Sequence, residues 1–267
     1  MLKAVVTGAT GKMGGRIINA IDESQGIELS GAVERADHPV LGKDVGEVIG
    51  LGKKGVEVAG DIDKVIGNAD VIIDFTTPEI SVYNLEVASK NGAAIVIGTT
   101  GFSSRQREMI KGFASKTRCV MAPNMSVGIN LLFMRAKEMA KVLGEDYDVE
   151  IIEAHHKLKK DAPSGTAMRL AEILATALRR DLDKVAVYKR KGITGERKKE
   201  EIGIQSIRAG DIVGDHTLLF GGIGERLEIT HRAHNRDTFA RGAVRAAKWI
   251  VNQKNGIYDM MDVLGLR

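Results

Sequence analysis

The chain has 267 residues, of which 43% are hydrophobic and 28% charged, enough for one large or two modest globular domains with a substantial core. Its 39 basic and 35 acidic residues leave a net charge of +4 that is spread along the chain, which argues against a nucleic-acid-binding protein. No apolar run approaches the roughly 18 residues that a membrane helix needs. Because the first residues also lack a basic signal-peptide region, we expect a cytoplasmic protein with no membrane segment.

A strand, a glycine-rich turn and a helix open the chain. Residues 2–7 are apolar enough for a buried strand, and Ile17, Ile18 and Ile21 give the next segment the buried face of a helix. Glycines at such a turn let backbone N–H groups approach a pyrophosphate at the helix N-terminus. The segment therefore predicts dinucleotide binding, although its glycine spacing alone would also fit any tight turn. The turn reads Gly8-Ala9-Thr10-Gly11-Lys12-Met13-Gly14.

Two charged residues follow the second predicted strand, residues 27–33. Glu34 comes twenty residues after Gly14, the position from which a carboxylate binds the adenosine ribose hydroxyls. Arg35 follows directly and could pair with a 2′-phosphate, so the two residues are compatible with NADH or NADPH. The alternative is that both form a solvated strand end, which their placement disfavours.

Strands and helices then alternate up to residue 126 and predict a Rossmann-type, doubly wound parallel sheet. Segments 71–75, 94–97 and 118–121 have the apolar character of buried strands, while residues 37–55 are expected to form a long surface loop. Small or polar turns follow two of these strands. Because ligands of such sheets bind at the carboxyl ends of the strands, we expect the turns to line the cofactor. Their residues are Gly98, Thr99 and Thr100, and Ala122, Pro123, Asn124 and Met125.

The pattern changes at residue 127 and predicts a second, α+β domain with a mixed open sheet. A long helix there has one apolar face, and strand-like segments follow with no helices between the last four. A final amphipathic helix and an apolar tail are expected to return to the first domain. We therefore expect a dinucleotide-binding domain over residues 1–126, with 236–267 packing on it, and a second domain over 127–235. The segments are a helix at 132–143, a strand at 149–152, a helix at 165–180, strands at 185–188, 202–208, 216–220 and 226–230, and a helix at 238–251.

The segment 153–167, EAHHKLKKDAPSGTA, concentrates groups that transfer protons or bind anions, and we expect them on a loop beyond the strand 149–152. His155 titrates near neutrality and Lys159 lies in a lysine-rich stretch, so either could serve a reduction as proton donor. The helix start Ser164-Gly165-Thr166 offers N–H groups to a carboxylate, and the nearby lysines favour a dianion. The second domain would thus supply a substrate site and a proton source.

Metal and thiol chemistry are not expected. His155 and His156 could ligate zinc, but side chains of consecutive residues diverge, and no cysteine or spaced aspartate completes a ligand set. The single cysteine, Cys119, lies in an apolar strand segment and is predicted to be a buried core thiol.

Together these motifs resemble the dihydrodipicolinate reductase family over nearly the whole chain. The segments EAHH and DAPSGTA are the most specific, whereas the glycine turn is shared with many other families. Two departures concern cofactor geometry: Lys12 stands where the family often has arginine, and Pro123 and Met125 alter the turn before Ser126. The resembling segments are GATGKMG at 8–14, DFTTPE at 74–79, GTTGF at 98–102, EIIEAHHKLKKDAPSGTA at 150–167, AGDIVGDHT at 209–217 and GERLEITHRA at 224–233.

The resemblance implies an NADH- or NADPH-dependent reductase acting on a cyclic dicarboxylate, 4-hydroxy-tetrahydrodipicolinate, in the diaminopimelate route to lysine. Hydride would reach C4 of the ring as the 4-hydroxyl leaves as water. His155 matches the proton donor or acceptor of the family and Lys159 its proton donor, while His156, Gly165 and Thr166 match substrate-binding positions. The resemblance also implies a homotetramer assembled through the second domain, which would then serve both substrate binding and oligomerisation. The cofactor positions are residues 8 to 13, 34, 35, 98 to 100 and 122 to 125.

Three other classes of protein are alternatives to this family. Short-chain dehydrogenases need a Tyr-x-x-x-Lys pair, which none of the four tyrosines provides. Semialdehyde dehydrogenases need a reactive thiolate, for which Cys119 has no activating neighbour in the sequence. The third class, a dinucleotide sensor that binds cofactor without turnover, stays open and is disfavoured by the intact set of His155, Lys159 and Ser-Gly-Thr.

Overall fold

The computed structural model describes residues 1–266, which form two compact units. The first combines Met1–Val127 with the described residues from Arg236 onward, and the second is Gly128–Asn235. Each unit contains one β-sheet and its own hydrophobic core. No helix within residues 1–266 is both long enough and apolar enough to cross a bilayer.

Regular elements of both units are numbered in chain order. The strands are β1 Leu2–Thr7, β2 Ile27–Val33, β3 Val58–Ala59, β4 Val71–Asp74, β5 Ala94–Ile97, β6 Arg118–Met121, β7 Asp148–His155, β8 Ala186–Val187, β9 Ile202–Arg208, β10 Gly214–Gly221, β11 Arg226–Ala233 and β12 Gly256–Tyr258. The helices are α1 Gly14–Asp22, α2 Val45–Ile49, α3 Pro78–Asn91, α4 Ser104–Ala114, α5 Val127–Leu143, α6 Gly165–Ala177, α7 Leu182–Val185, α8 Asp237–Ile250 and α9 Met260–Leu264.

The sheet of the first unit has seven strands in the order β12-β6-β5-β4-β1-β2-β3, and every pair is parallel. Its central strands β4 and β5 are buried along their whole length, which explains why they are continuous apolar runs without alternation. The order reverses direction at β1, as in doubly wound sheets. The Rossmann-type fold predicted from the sequence is confirmed.

Local sequence signals set the helix starts at the carboxyl edge of this sheet. Thr77 caps α3 and Pro78 occupies its first turn, where a missing N–H costs nothing. Ser103 and Gln106 form a reciprocal capping box at α4. Each cap fixes where the chain turns away from the sheet, and hence where the preceding polar turn lies.

The sheet of the second unit has five strands in the order β11-β10-β7-β9-β8. β7 runs antiparallel to β10 and parallel to β9, so the sheet is mixed, as predicted. One face of β7, β9 and β10 packs with buried residues of α5 and α6 to form the core of this unit. The opposite face carries partly exposed residues such as Leu219 and Ile207.

Several sequence-based boundaries were wrong; for example, the helix expected at 132–143 begins at Val127, and the strand expected at 226–230 ends at Ala233. The strand predicted at 149–152 is β7, which continues through His155 because β10 and β9 pair with it on both sides up to Ala154 and His155. The expected loop 37–55 contains the short helix α2, which Asp44 caps and whose Val45 is buried. The strand predicted at 185–188 is the end of α7 followed by the two residues of β8.

Helix α8 lies close against the turn that follows β6. A Cβ atom built on Gly242 would lie 1.8 Å from the Met125 carbonyl oxygen, a distance that no real contact allows. The neighbours Ala243, Ala246 and Ala247 are fully buried. Small residues on α8 therefore set the position of the turn 122–125.

Gly242→Ala should lower the free energy of unfolding by roughly 2 kcal/mol or more, because the added methyl group overlaps backbone that cannot move freely. Gly112→Ala is the matched control: Gly112 is exposed in α4, and a Cβ atom there meets nothing within 4 Å. The control should gain about 1 kcal/mol from helix propensity. Urea denaturation followed by circular dichroism measures both. Equal stability of Gly242→Ala and wild type would contradict this packing.

Candidate active site

The glycine turn of the first unit is closed too tightly to admit side chains. Gly8 has φ +63°, in the left-handed region, and Gly11 N–H donates to the Gly8 carbonyl at 3.0 Å. A Cβ atom on Gly14 would lie 2.0 Å from that same carbonyl oxygen. The turn thus presents bare backbone at the N-terminus of α1, which fits the pyrophosphate of a dinucleotide.

Glu34 is joined directly to this turn. The backbone N–H and the hydroxyl of Thr10 both donate to Glu34 Oε1, each at 2.8 Å. The carboxylate predicted for the ribose is therefore held beside the turn predicted for the pyrophosphate. Arg35 has a 74% exposed side chain, and its Nε lies 3.7 Å from Asp37. Ala9 is buried and its N–H donates to Val33, so it holds the turn to β2.

A cavity of about 340 Å³ in the first unit collects most of the other predicted cofactor residues. Lys12 and Met13 from the glycine turn, Gly98 after β5 and residues 122–125 after β6 all line it. Phe75, Arg236 and Phe239 complete the described lining. Lys12 and Arg236 add positive charge, which suits an anionic ligand.

A buried carboxylate, Asp74, fixes the polar turns at this edge of the sheet. Hydroxyl and amide groups surround it, and each donates a hydrogen bond. Thr99, one of these donors, also accepts from the Thr76 N–H at 3.1 Å, which connects the turns after β4 and β5. Thr100 is exposed beside them. The donors are Thr7 Oγ1 at 2.6 Å, Thr76 Oγ1 at 2.7 Å, Asn84 Nδ2 at 3.0 Å, Thr99 Oγ1 at 3.3 Å and Ser81 Oγ.

In the second unit, His155 is bound to a buried ion pair. His155 Nδ1 lies 2.5 Å from Glu153 Oε2, and Arg208 donates to both Glu153 oxygens at 2.8 Å. Burial opposes ionisation of Glu153, but hydrogen bonds from Arg208, Ser206 and His155 outweigh it and lower the pKa of Glu153 to about 2. Burial lowers the pKa of His155, and Glu153 acts against that shift. His155 is thus a buried base beside a carboxylate that stays ionised.

The helix start that the sequence predicted for carboxylate binding is connected to the same network. Ser164 caps α6 by accepting the Ala167 N–H at 3.2 Å, and its own N–H donates to Glu153 Oε1 at 3.1 Å. Ser164 Oγ lies 3.0 Å from His216 Nε2. Burial lowers the pKa of His216 to about 3, so this ring is neutral, and its tautomer decides which of the two groups donates the hydrogen bond. Gly165 and Thr166 follow as the first residues of α6.

Lys159 and His156 lie on the loop between β7 and α6. Lys159 Nζ lies 2.9 Å from both carboxylate oxygens of Asp161, a neighbour of opposite charge that the lysine-rich sequence did not suggest. His156 Nδ1 is a buried polar atom with no hydrogen-bond partner among the described residues. Such an atom normally has a partner, which is consistent with a ligand-binding role for His156.

Sequence reasoning missed Glu153, Arg208 and His216 as members of the site. Glu153 was detectable, since residues two apart on a strand share a face and His155 is its partner at that spacing. Arg208 and His216 were not, because they are more than 50 residues away and their placement depends on strand register, His155 opposite Arg208 and Glu153 opposite His216. Arg236 and Phe239 were missed because they lie at the start of α8, more than a hundred residues along the chain from the turn 122–125 that they join.

The fold and these residues define a class: a dinucleotide-dependent oxidoreductase with a Rossmann-type unit and a second unit that contains a buried histidine–carboxylate pair beside a capped helix start. Two family models cover the chain, "Dihydrodipicolinate reductase, N-terminus" over residues 2–125 and "Dihydrodipicolinate reductase, C-terminus" over residues 128–264. The chain belongs to the dihydrodipicolinate reductase family.

Relatives and a solved structure agree with that membership over their full length. The chain is 58% identical to proteins named 4-hydroxy-tetrahydrodipicolinate reductase from Syntrophus aciditrophicus (strain SB) and Geotalea uraniireducens (strain Rf4), covering 100% of both sequences in each case. A solved structure of dipicolinate-bound dihydrodipicolinate reductase from Paenisporosarcina sp. TG-14 superposes with a TM-score of 0.78 at 27% identity, covering 98% of each chain.

Gly14→Ala should weaken NADPH binding by about tenfold or more, because a Cβ atom there displaces the Gly8 carbonyl and with it the backbone N–H groups of the turn. The neighbouring Gly15→Ala is the control, since its Cβ atom would lie an ordinary 3.6 Å from Ile49. Fluorescence titration with NADPH measures both affinities, and thermal unfolding separates lost binding from lost folding. A folded Gly14→Ala protein with wild-type affinity would remove the turn from the binding site.

Proposed function

We propose that this protein is an NADH- or NADPH-dependent reductase that converts 4-hydroxy-tetrahydrodipicolinate to tetrahydrodipicolinate, in the diaminopimelate route of lysine biosynthesis. One observation carries the proposal: within the segment 153–167, Glu153 hydrogen-bonds both the titrating His155 and the Ser164 cap of the anion-binding helix start. Full-length similarity to proteins that bear the name of this activity supports it.

The first unit would hold the dinucleotide. Its glycine turn would bind the pyrophosphate, Glu34 the adenosine ribose, and Arg35 a 2′-phosphate when the cofactor is NADPH. The cavity lined by Lys12, Gly98 and residues 122–125 would hold the nicotinamide half, and Asp74 would keep the surrounding turns in place. When bound, the reduced dinucleotide supplies the hydride for the reduction of the ring.

The second unit would bind the cyclic dicarboxylate and manage protons. Its α6 start, with Gly165 and Thr166, offers the positive end of a helix dipole to a carboxylate, and His156 offers a buried ring nitrogen. Lys159 would donate a proton as an ammonium held by Asp161, and His155 would give or accept one at its Nε2 atom. His155 would act from the end of β7, and Gly165 and Thr166 would act from the start of α6.

His155→Ala and Lys159→Ala should each lower kcat by about a hundredfold or more, the usual contribution of a general acid or base. The affinity for NADPH should stay nearly unchanged, because neither side chain belongs to the first unit. Lys157→Ala is the control: Lys157 is exposed two residues before Lys159. Oxidation of NADPH, followed by absorbance with freshly generated substrate, gives kcat. Wild-type turnover in both variants would exclude these residues from the reaction.

The same assay separates the reductase from a dinucleotide sensor, the remaining non-enzymatic alternative. A sensor would bind NADPH in the fluorescence titration yet oxidise none of it in the presence of substrate. A wild-type rate indistinguishable from background, with intact cofactor binding, would therefore refute the proposed activity.

We further propose a homotetramer built through the open face of the second sheet. Thr217 and Thr230 share a hydrogen bond on that face, and Ile207 on the same face is 48% exposed. Apolar exposure of this kind on an uncovered sheet suits contact with another copy of the chain.

Ile207→Glu should reduce the molar mass measured by sedimentation, because it places a charge in the apolar contact. Val142→Glu is the control, since Val142 is 84% exposed on helix α5 of the same unit. An unchanged mass for Ile207→Glu, or a monomeric wild type, would refute assembly through this face.

A further inference from the structure

Hydrogen bonds hold the Glu153 carboxylate in one orientation relative to His155. Its Oε1 accepts from Arg208 Nη2 at 2.8 Å and from the Ser164 N–H at 3.1 Å. Its Oε2 accepts from Arg208 Nη1 at 2.8 Å and lies 2.5 Å from His155 Nδ1. The side chain is fully buried, and the planar fork of Arg208 fixes both oxygens at once. Rotation of the carboxylate would break several of these bonds.

The charge of Glu153 determines the direction of its bond to the histidine. With a pKa near 2, the carboxylate is ionised throughout the working range of pH. An ionised carboxylate accepts hydrogen bonds and donates none, so the proton between the two groups belongs to His155 Nδ1. In neutral His155 the lone pair therefore lies on Nε2, and in the protonated ring Nε2–H is the proton available to a ligand.

The surroundings of Nε2 are shaped by a glycine of the neighbouring strand. A Cβ atom on Gly214 of β10 would lie 3.1 Å from His155 Nε2 and 3.4 Å from Cδ2, so a larger residue would crowd this nitrogen. Gly214 does not adopt positive φ. Its backbone conformation therefore does not require glycine, whereas the limited space beside His155 does. Glu153 thus binds the Nδ1 atom of His155, and Gly214 leaves space beside its Nε2 atom.

We propose that Glu153 is a positioning residue of the reductase: it holds His155 in the tautomer with hydrogen on Nδ1, so that Nε2 exchanges the proton with the substrate. The inference rests on the proposed function for its catalytic meaning. Glu153 also hydrogen-bonds Ser164, so one carboxylate fixes both the proton-transfer ring and the start of the carboxylate-binding helix.

The charged groups that face His155 predict the sign of the effect on pH dependence. Glu153 on its own strand favours the imidazolium; Arg208 on β9 and Lys159 on the loop disfavour it, and the neutral His216 ring on β10 stacks edge-on at 5.2 Å. Removing the negative charge of Glu153 leaves burial and the two cations unopposed, so the pKa of His155 falls further. The limb of the kcat profile that His155 controls should then move to lower pH.

The experiment compares wild type, Glu153→Gln and Glu201→Gln. Glu201→Gln is a matched control, because Glu201 also pairs with an arginine of the second unit, Arg190 at 3.0 Å, and the groups that shift its pKa among the described residues include no histidine. Nitrogen-15 NMR of the histidine rings, with His155 assigned by its loss in His155→Ala, reports which nitrogen carries hydrogen. Wild type should show hydrogen on Nδ1, and the control should match it.

Glu153→Gln should lose the fixed Nδ1–H tautomer, lower kcat by about a hundredfold and shift the pH limb toward acid, with NADPH affinity nearly unchanged. A wild-type His155 with hydrogen on Nε2 would overturn the inference, and this measurement does not require Glu153→Gln to fold. A folded Glu153→Gln that loses turnover but keeps the wild-type tautomer and pH limb would also overturn it, by reducing Glu153 to a structural role. Absence of turnover in wild type would instead refute the proposed function. The NMR experiment would still decide which nitrogen of His155 carries hydrogen.

Discussion

Hydrogen bonding to a carboxylate buried at the end of a strand is the constraint on which both units depend. An ionised group removed from water costs several kcal/mol unless its oxygens are satisfied by donors. Asp74 in the first unit and Glu153 in the second are both fully buried, and both are surrounded by donors from several chain segments. Within each unit, meeting that requirement holds segments from distant parts of the sequence in one arrangement.

The two carboxylates accept hydrogen bonds from different kinds of donor, and each kind of donor suits the groups that the carboxylate positions. Asp74 receives hydroxyl and amide donors, which hold turns in place without adding positive charge behind the cavity. Glu153 receives a guanidinium fork, which keeps it ionised and therefore able to act on the proton of His155. Positioning of loops needs geometry alone, whereas control of a titrating ring needs a fixed charge.

The sequence allowed the local parts of this arrangement to be predicted. Gly8, Gly11 and Gly14 allowed the tight turn before α1 to be predicted, because the need for bare backbone is visible within seven residues. The end of β7 was misplaced because Glu153 and His155 are polar, and an apolar run is expected to stop where charges begin. They stay in the strand because Arg208 and Ser164 donate to Glu153, which in turn pairs with His155, and these two donors lie 55 and 11 residues after Glu153. A charged residue inside a buried strand is a local contradiction, and contradictions of that kind concentrate at functional sites.

Stability alone does not explain the Glu153–Arg208 pair. Replacing a buried ion pair with apolar side chains of similar volume is often neutral or stabilising, while removing one partner costs about 3–5 kcal/mol. A core that needed only stability would therefore be served by two apolar residues on β7 and β9. The pair instead includes His155 and the Ser164 N–H as third and fourth members, and an apolar replacement would leave both without an acceptor. The ion pair is best understood through the two groups it orients, the His155 ring and the start of helix α6.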